Sequence, residues 1–264
     1  MKDETDVKQT LVGHLKELHL PAFRQGYEEM ALQARQESLS YERYLLGLAQ
    51  RECQERHNNR IERLLRQSRL PLEKTWQALE LKRLPQKVVQ QARQLLEGSF
   101  VDRRENVLAF GVPGSGKTHL LCAVGQELVR AGRKVLFCGC GLLVQELLIA
   151  KRDLKLSRVL KRLSGYEVLV LDDLGYVQQS REEMEVLFTL LAERYERGSV
   201  MLTSNLAFSG WERIFKDAMT TAAAIDRLVH HCVIVELNIP SYRAEQAKKA
   251  RQNRTMPVAE ENGT

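Results

Sequence analysis

The 264-residue sequence contains no apolar run close to the roughly 20 residues that a helix needs to cross a bilayer. Residues 1–6 are polar and no apolar stretch follows them, so a secretory signal is not predicted either. Together these absences predict a soluble, cytoplasmic protein with no membrane partner.

Cysteine is also scarce, with five residues in the chain. Cys138 and Cys140 form a close pair, but no second Cys or His pair stands at the spacing of a zinc site. Because most of the cysteines lie in apolar segments, we expect reduced, buried thiols rather than a metal centre. The net charge of +6 is mild, so it permits a polyanionic partner without requiring one.

The length allows one α/β core and a smaller accessory region. Residues 1–70 carry apolar side chains at helical spacing, and Ser40 is placed to cap a run that starts at Tyr41, so a small all-helical domain is predicted. Arginine and glutamate are mixed along residues 51–69, which is typical of a solvated helix face, with a nucleic-acid surface as the alternative. Residues 71–98 are predicted to form a connector.

From residue 99 onwards, short apolar segments alternate with helical ones. Strands that are apolar throughout are typical of a parallel sheet covered by helices on both faces. The predicted fold is therefore α/β, with a five-stranded parallel sheet. The expected strands are residues 106–110, 134–138, 167–171, 199–203 and 232–237. Residues 244–264 are basic, lack apolar periodicity, and are predicted to form a flexible tail.

Residues 111–118 match the complete pattern G-x-x-x-x-G-K-[ST] between the first expected strand and a helix. Such a loop cradles phosphates with its backbone amides, while Lys117 can reach the β- and γ-phosphates and Thr118 can join a Mg²⁺ shell. The sequence therefore predicts a site for a nucleoside triphosphate with Mg²⁺. Its expected residues are Gly111, Val112, Pro113, Gly114, Ser115, Gly116, Lys117, Thr118 and His119.

Two carboxylates, Asp172 and Asp173, follow the strand at 167–171. The carboxyl ends of parallel strands meet at the sheet edge where the phosphate loop lies, so Asp172 is expected to bind Mg²⁺ together with Thr118. Asp173 is expected to point to the opposite side of an extended chain and to orient or deprotonate an attacking water. A helix or turn cap is the alternative role for this pair.

Two further polar residues are candidates for the reaction. Asn205 follows the strand at 199–203 and can bind the attacking water or the γ-phosphate, unless it caps the next helix. Arg227 stands just before the last strand and can face a neighbouring subunit, where it would stabilise charge on the γ-phosphate. From spacing alone, however, a surface salt bridge is the more common role for such an arginine.

A basic stretch lies between the second and third expected strands. Spacings of four, three and four residues place its cations on one helical stripe, and within residues 151–163 six cations face one acid, Asp153. Such a stripe predicts binding to the phosphate backbone of duplex DNA, against the alternative of a soluble helix face. The residues concerned are Lys151, Lys155, Arg158 and Arg162.

Six segments taken together resemble the IstB family of ATP-binding proteins that accompany insertion-sequence transposases, relatives of the DnaC helicase loader among the AAA+ ATPases. The segments are residues 105–120, 169–176, 194–199, 202–205, 225–231 and 241–243. The resemblance spans about residues 40–243 and implies an AAA+ ATPase domain at 99–243. It also implies a homo-oligomer with ATP at its subunit interfaces that assembles on DNA and assists a transposase.

The resemblance assigns roles to single residues as well. Asn205 is similar to a sensor asparagine, Arg227 to an arginine finger that enters the next subunit's ATP site, and Arg243 to a nucleotide-sensing arginine. The basic stretch coincides with the place where related proteins insert DNA-contacting helices. Asp173 is shorter than the glutamate common in AAA+ ATPases, so slow hydrolysis is expected unless DNA or the transposase closes the interface.

Three other functions are compatible with parts of the sequence. A helicase loader belongs to the same structural class, and the sequence barely separates it from a transposition protein. A phosphotransferase shares the phosphate loop, but Asn205 and Arg227 indicate water as the acceptor and a site between subunits. A DNA-binding scaffold that binds ATP without hydrolysing it is the third alternative.

Overall fold

The computed structural model describes residues 2–175, 180–212, 218–242 and 244–245. The chain divides into two compact units, with the boundary between Arg63 and Leu64. Among the described residues, no helix is both long and apolar enough to span a membrane.

The first unit is helical and consists of α1 (Lys2–Glu17), α2 (Pro21–Gln36) and most of α3 (Tyr41–Ser68). Helix α2 begins with proline, which lacks the amide hydrogen that a first helical turn leaves unpaired. The next amide, that of Ala22, donates to the buried Glu52 carboxylate at 2.8 Å. Burial would raise the pKa of Glu52, but hydrogen bonds from Arg56 and from backbone amides outweigh burial and lower it.

The second unit has helices on both faces of a five-stranded sheet in the order β2-β3-β4-β1-β5, and all neighbouring strands are parallel. This arrangement confirms the predicted α/β fold. The strands are β1 (Asn106–Gly111), β2 (Val135–Gly139), β3 (Val168–Leu174), β4 (Ser199–Ser204) and β5 (Cys232–Leu237). The helices are α4 (Gln86–Leu96), α5 (Ser99–Asp102), α6 (Lys117–Arg130), α7 (Cys140–Arg152), α8 (Leu156–Ser164), α9 (Arg181–Arg194) and α10 (Ala218–Val229).

Alternate residues of each central strand pack into two separate cores. In β1, Val107 and Ala109 lie in the core shared with α4 and α6, whereas Leu108 lies in the core shared with α7 and α9. Side chains of a strand alternate between the two faces, so a strand buried on both faces must be apolar at every position. This is the physical reason for the continuous apolar runs in the sequence.

Arg194, at the end of α9, is buried without an acidic partner among the described residues. Its guanidinium donates to four backbone carbonyls near the amino ends of β3 and β4, and burial lowers its pKa to about 10. The four acceptors are the carbonyl oxygens of Leu163, Tyr166, Glu167 and Ser199. The arginine therefore links α8, α9 and two strands at one edge of the sheet.

Candidate nucleotide site

The phosphate loop connects β1 to α6 and contains three glycines with positive φ. Gly111, Gly114 and Gly116 have φ values of 152°, 80° and 96°, which side chains of L-residues strongly disfavour. At Gly114 space is limited as well, because a Cβ atom there would lie 2.2 Å from Ser241 Oγ. The pattern of glycines is thus required by the backbone path, independently of any ligand.

Two polar groups of the loop indicate a binding site for an anion. The Lys117 ammonium is nearly buried and donates to the carbonyl oxygens of Gly111, at 2.8 Å, and Val112, at 3.0 Å. The Ser115 hydroxyl is buried with no hydrogen-bond partner in the part of the chain that the structure describes. Buried hydroxyls are nearly always hydrogen-bonded in folded proteins, so this one indicates a group that would bind in the loop.

Asp172, on β3, accepts hydrogen bonds from two threonines of neighbouring elements. Thr118 Oγ1, on α6, and Thr203 Oγ1, on β4, each lie 2.7 Å from Asp172 Oδ1. The Asp173 amide donates to Thr203 Oγ1 at 2.8 Å, which leaves the threonine proton for Asp172. Hydroxyl and carboxylate oxygens are the ligands that Mg²⁺ prefers, so Thr118 and Asp172 fit the ion that the sequence predicts.

The expectation that Asp172 and Asp173 point to opposite sides of an extended strand is wrong. Asp173 has φ of +62°, and the pairing of β3 with β4 shifts by one residue between Leu171 and Leu174. Such a bulge redirects the side chain from its regular alternation. As a result both carboxylates line the same cavity.

This cavity has a volume of about 470 Å³ and lies at the carboxyl edge of the sheet. It contains most of the residues that the sequence predicts for the nucleotide. They are Pro113, Gly114, Ser115, Gly116, Lys117, Thr118, His119, Asp172, Asp173 and Asn205. Gly111 and Val112 contribute the carbonyl groups that bind Lys117. Arg243 lies outside the described residues, as does most of the predicted tail, residues 246–264.

The connector also lines the cavity, although the sequence analysis did not predict this. Six of its residues between Lys74 and Leu84 line one wall, and side chains of α6 hydrogen-bond to the connector backbone. Gln126 Nε2 donates to the Pro71 carbonyl at 2.9 Å, and a His119 ring nitrogen lies 2.9 Å from the Thr75 carbonyl oxygen. Gln126 is buried next to apolar residues of α6, and a polar side chain at such a position is a sequence signal for a backbone segment packed there.

The segment after β5 forms a second wall through Ile239 and Tyr242, which the sequence analysis did not assign to the site. Tyr242 donates its amide hydrogen to the Gly114 carbonyl at 2.9 Å and lines the cavity together with Ile239. The Arg83 guanidinium lies 4.9 Å from the centre of the Tyr242 ring and pairs with Glu245 at 2.8 Å. Contacts between segments more than 150 residues apart along the chain cannot be read from local sequence patterns.

Arg227 is not part of this cavity. It lies on α10 shortly before the start of β5, where it donates to the Ala223 carbonyl at 3.0 Å and stacks 4.8 Å from the Phe188 ring centre. It lines a second cavity, of about 310 Å³, together with Asn106, the first residue of β1. Since β1 begins at this cavity and ends at the phosphate loop, the two sites lie at opposite edges of the sheet.

The predicted basic stripe is divided between two helices. Helix α7 ends at Arg152 and α8 begins at Leu156, with Leu154 in the left-handed region at φ of 58°. Lys151 therefore lies on α7, while Arg158 and Arg162 lie on α8. The prediction of one continuous helical stripe is wrong because the chain turns between them.

Acids from neighbouring elements also pair with part of this basic stretch. Lys151 lies 2.9 Å from Glu185 of α9, and Arg162 lies 2.6 Å from Glu146 of α7. Lys155 pairs with Asp153 at 3.2 Å. Arg158 is exposed and forms no ion pair with any described residue. The charge count along residues 151–163 included Asp153 but missed Glu185 and Glu146, which lie outside that range.

A parallel five-stranded sheet in this order, with a phosphate loop after β1 and a carboxylate at the end of β3, defines a P-loop nucleotide-binding protein with an AAA+ fold. The fold resembles that of AMPPCP-bound DnaA from Aquifex aeolicus with a TM-score of 0.55 at 17% identity. The match covers 73% of this chain and 59% of that chain.

Residues 13–250 match the family described as IstB-like ATP binding protein. An insertion sequence ATP-binding protein of Sinorhizobium fredii is 40% identical over 93% of this chain and 83% of its own length. The insertion sequence IS21 ATP-binding protein of Pseudomonas aeruginosa is 38% identical over 96% of this chain and 95% of its own length. The chain therefore belongs to the IstB-like ATP binding protein family, as the resemblance of its motifs predicts.

Proposed function

We propose that this protein is an ATPase that assembles from several copies on duplex DNA and assists a transposase. The observation that carries the proposal is the hydrogen-bonded contact of Thr118 and Asp172 below the phosphate loop, inside a cavity of about 470 Å³. Pockets of a few hundred Å³ are typical of small-molecule sites. The family description supports ATP as the nucleotide.

The loop and the residues around it would bind different parts of the ATP molecule. The loop amides, the Ser115 hydroxyl and the Lys117 ammonium would bind the phosphates. Thr118 and Asp172 would hold Mg²⁺, which neutralises charge on the phosphate oxygens when it is bound. The apolar side chains of Leu79 and Ile239 line the same cavity and suit a purine base.

Asp173 and Asn205 are proposed to orient the attacking water and accept its proton. Both are exposed at the mouth of the cavity, beyond the ends of β3 and β4. The left-handed backbone of Asp173 keeps its carboxylate on the side of the phosphate loop. A carboxylate there can accept a proton from water, and the Asn205 amide can hydrogen-bond the same water or the γ-phosphate.

Arg227 is proposed to complete the site of an adjacent copy. Because it lies at the sheet edge opposite the phosphate loop, it cannot reach the nucleotide of its own chain. Head-to-tail contact between identical copies would bring the amino edge of one sheet to the carboxyl edge of the next. An arginine supplied in this way stabilises the charge that develops on the transferred phosphoryl group.

DNA binding is proposed for the exposed cations of the segment from α7 to α8. Arg158 and Lys161 are exposed on α8 and form no ion pairs with described residues, so they are available to phosphates. Ion pairs of Lys151, Lys155 and Arg162 are mostly solvent-exposed and therefore weak enough to exchange for DNA phosphates. The relatives' descriptions as insertion sequence proteins favour a transposase over a helicase as the partner.

One experiment tests these elements together. Purified protein is imaged by electron microscopy with a non-hydrolysable ATP analogue, with and without duplex DNA. Its ATPase rate is measured separately with ATP, with and without the same duplex. We expect regular assemblies on the duplex and a rate that rises with DNA. The Lys117→Ala variant is the control, and it should lose both the assemblies and the ATPase activity. A protein that stays monomeric and ignores duplexes when saturated with nucleotide would contradict the proposal.

A further inference from the structure

A cluster of metal-binding side chains lies at the amino edge of the sheet, away from the nucleotide cavity. Glu196 belongs to the turn that precedes β4, while His230 and His231 form the turn that precedes β5. One ligand atom from each of the three residues lies within 4.8 Å of the others, and all three side chains are exposed. The two imidazole rings are 4.2 Å apart between centres.

The backbone holds the two turns in place. Glu196 and Arg104 both have φ of 56°, an uncommon conformation for residues other than glycine. The Arg104 guanidinium donates to the Glu196 carbonyl oxygen, and the Asn106 amide donates to the His231 carbonyl at 2.8 Å. Two turns from distant parts of the chain are thereby fixed to Arg104 and Asn106 at the start of β1, and their side chains are exposed.

The neighbouring Tyr195 hydroxyl contacts one of the two ring nitrogens of His230. It lies 3.0 Å from His230 Nδ1. In the tautomer that carries its proton on Nδ1, His230 donates to the Tyr195 oxygen. This tautomer leaves the lone pair of His230 Nε2 free. A histidine oriented through its other nitrogen in this way is typical of metal sites.

Positive charges near the cluster are engaged by other groups. Arg103 makes two hydrogen bonds of 2.8 Å to the Glu105 carboxylate. Arg104 binds the carbonyl oxygen of Glu196 rather than its carboxylate, and Arg227 is bound to its own helix and stacked on Phe188. The Glu196 carboxylate forms no ion pair within the described ranges, so its charge remains available to a cation.

We infer that Glu196, His230 and His231 bind a transition-metal dication of the zinc class. Zinc bonds of about 2.0–2.1 Å to nitrogen and oxygen place tetrahedral ligands roughly 3.4 Å apart, and rotation of exposed side chains closes the remaining gap. Three protein ligands leave a fourth position for water or for a group from another molecule. The bound ion would cross-link the turn before β4 to the turn before β5, next to Arg227.

The test uses untagged full-length protein without nucleotide and Zn²⁺ alone as the probe. Calorimetry and competition with a chromogenic chelator should show a single site, and Co²⁺ in its place should give the intense visible bands of tetrahedral coordination. His231→Ala and Glu196→Gln should each weaken Zn²⁺ binding by at least about tenfold. Tyr195→Phe removes only the orienting hydroxyl and should weaken binding without abolishing it.

Matched controls separate this site from other donors. His57→Ala removes an exposed histidine from α3, and Cys53→Ser and Cys232→Ser remove thiols that can bind zinc; all three should bind Zn²⁺ like the unaltered protein. The inference is overturned if the protein binds no Zn²⁺, or if binding survives in His231→Ala and is lost in a cysteine variant. Zn²⁺ should also raise the melting temperature of the unaltered protein but not that of Glu196→Gln. None of these readouts needs ATP or DNA, so failure here leaves the proposed function untouched.

Discussion

The Thr118 hydroxyl and Asp172 Oδ1 lie 2.7 Å apart although the two residues are separated by 54 positions in the sequence. One residue comes from the first turn of α6 and the other from the end of β3. Their contact places a hydroxyl and a carboxylate at the same point below the phosphate loop. The arrangement of the sheet, rather than either motif alone, therefore creates the oxygen pair that suits Mg²⁺.

Replacement of Asp172 tests this pair. Asp172→Asn keeps the size of the side chain and one acceptor oxygen for Thr118 but removes the charge. We expect ATP affinity without Mg²⁺ to change little, and the gain in affinity on adding Mg²⁺ to fall by about tenfold or more. Titration of a fluorescent ATP analogue with and without Mg²⁺ measures both. Asp153→Asn, at an exposed acid of the α7–α8 turn, is the control, and an equal loss there would contradict the assignment.

Replacement of two cations tests DNA binding. Lys155→Ala combined with Arg158→Ala should weaken binding to all duplex sequences and reduce its salt dependence by about one unit of slope per lost phosphate contact. Fluorescence anisotropy over a range of salt concentrations gives both quantities. Removing two exposed arginines elsewhere, Arg130→Ala with Arg197→Ala, should leave the slope unchanged. An unchanged slope in the first double variant would show that Lys155 and Arg158 do not bind DNA phosphates.

The cysteines should differ sharply in reactivity. Burial raises the pKa of the thiols of Cys122, Cys138 and Cys140 to about 12, so near pH 8 only about one in ten thousand of these groups is a thiolate. Cys53 is exposed on α3 and should react first with iodoacetamide. Mass spectrometry of peptides after short alkylation measures the order. Rapid labelling of Cys138 or Cys140 in folded protein would show that the edge of β2 is more open than the structure indicates.

Arg194 should contribute strongly to stability. Arg194→Ala removes a donor from four carbonyl groups, of which those of Leu163 and Glu167 keep a backbone donor, and we expect the free energy of unfolding to fall by about 3 kcal/mol. Because the pKa of Arg194 remains about 10, the side chain is charged at neutral pH and this loss should not vary around pH 7. Its exposed neighbour Arg197 pairs with Glu193 and with no other residue that the structure describes, so Arg197→Ala should cost less than about 1 kcal/mol. Urea unfolding of the two variants measures both losses of stability, and equal losses would contradict the stabilising role of Arg194.

The sequence predicted the sheet because each strand is buried on both faces, and it predicted the phosphate loop because the glycines, Lys117 and Thr118 are contiguous. It failed where geometry depends on distant segments. The bulge at Asp173 arises from pairing with β4, the wall formed by Arg83 and Tyr242 joins both ends of the second unit, and the partners of Lys151 come from another helix. The roles of Asn205 and Arg227 remain predictions that require kinetic tests.

The most direct test of the central claim is a mixing experiment on ATP hydrolysis with DNA present. Arg227→Ala retains the phosphate loop but lacks the arginine, whereas Asp173→Asn retains the arginine but lacks the carboxylate. Each variant should bind ATP and hydrolyse it slowly or not at all, while an equal mixture should recover about a quarter of the normal rate, because that share of interfaces joins two intact halves. A mixture as inactive as its components, or full activity of Arg227→Ala alone, would contradict a site shared between copies.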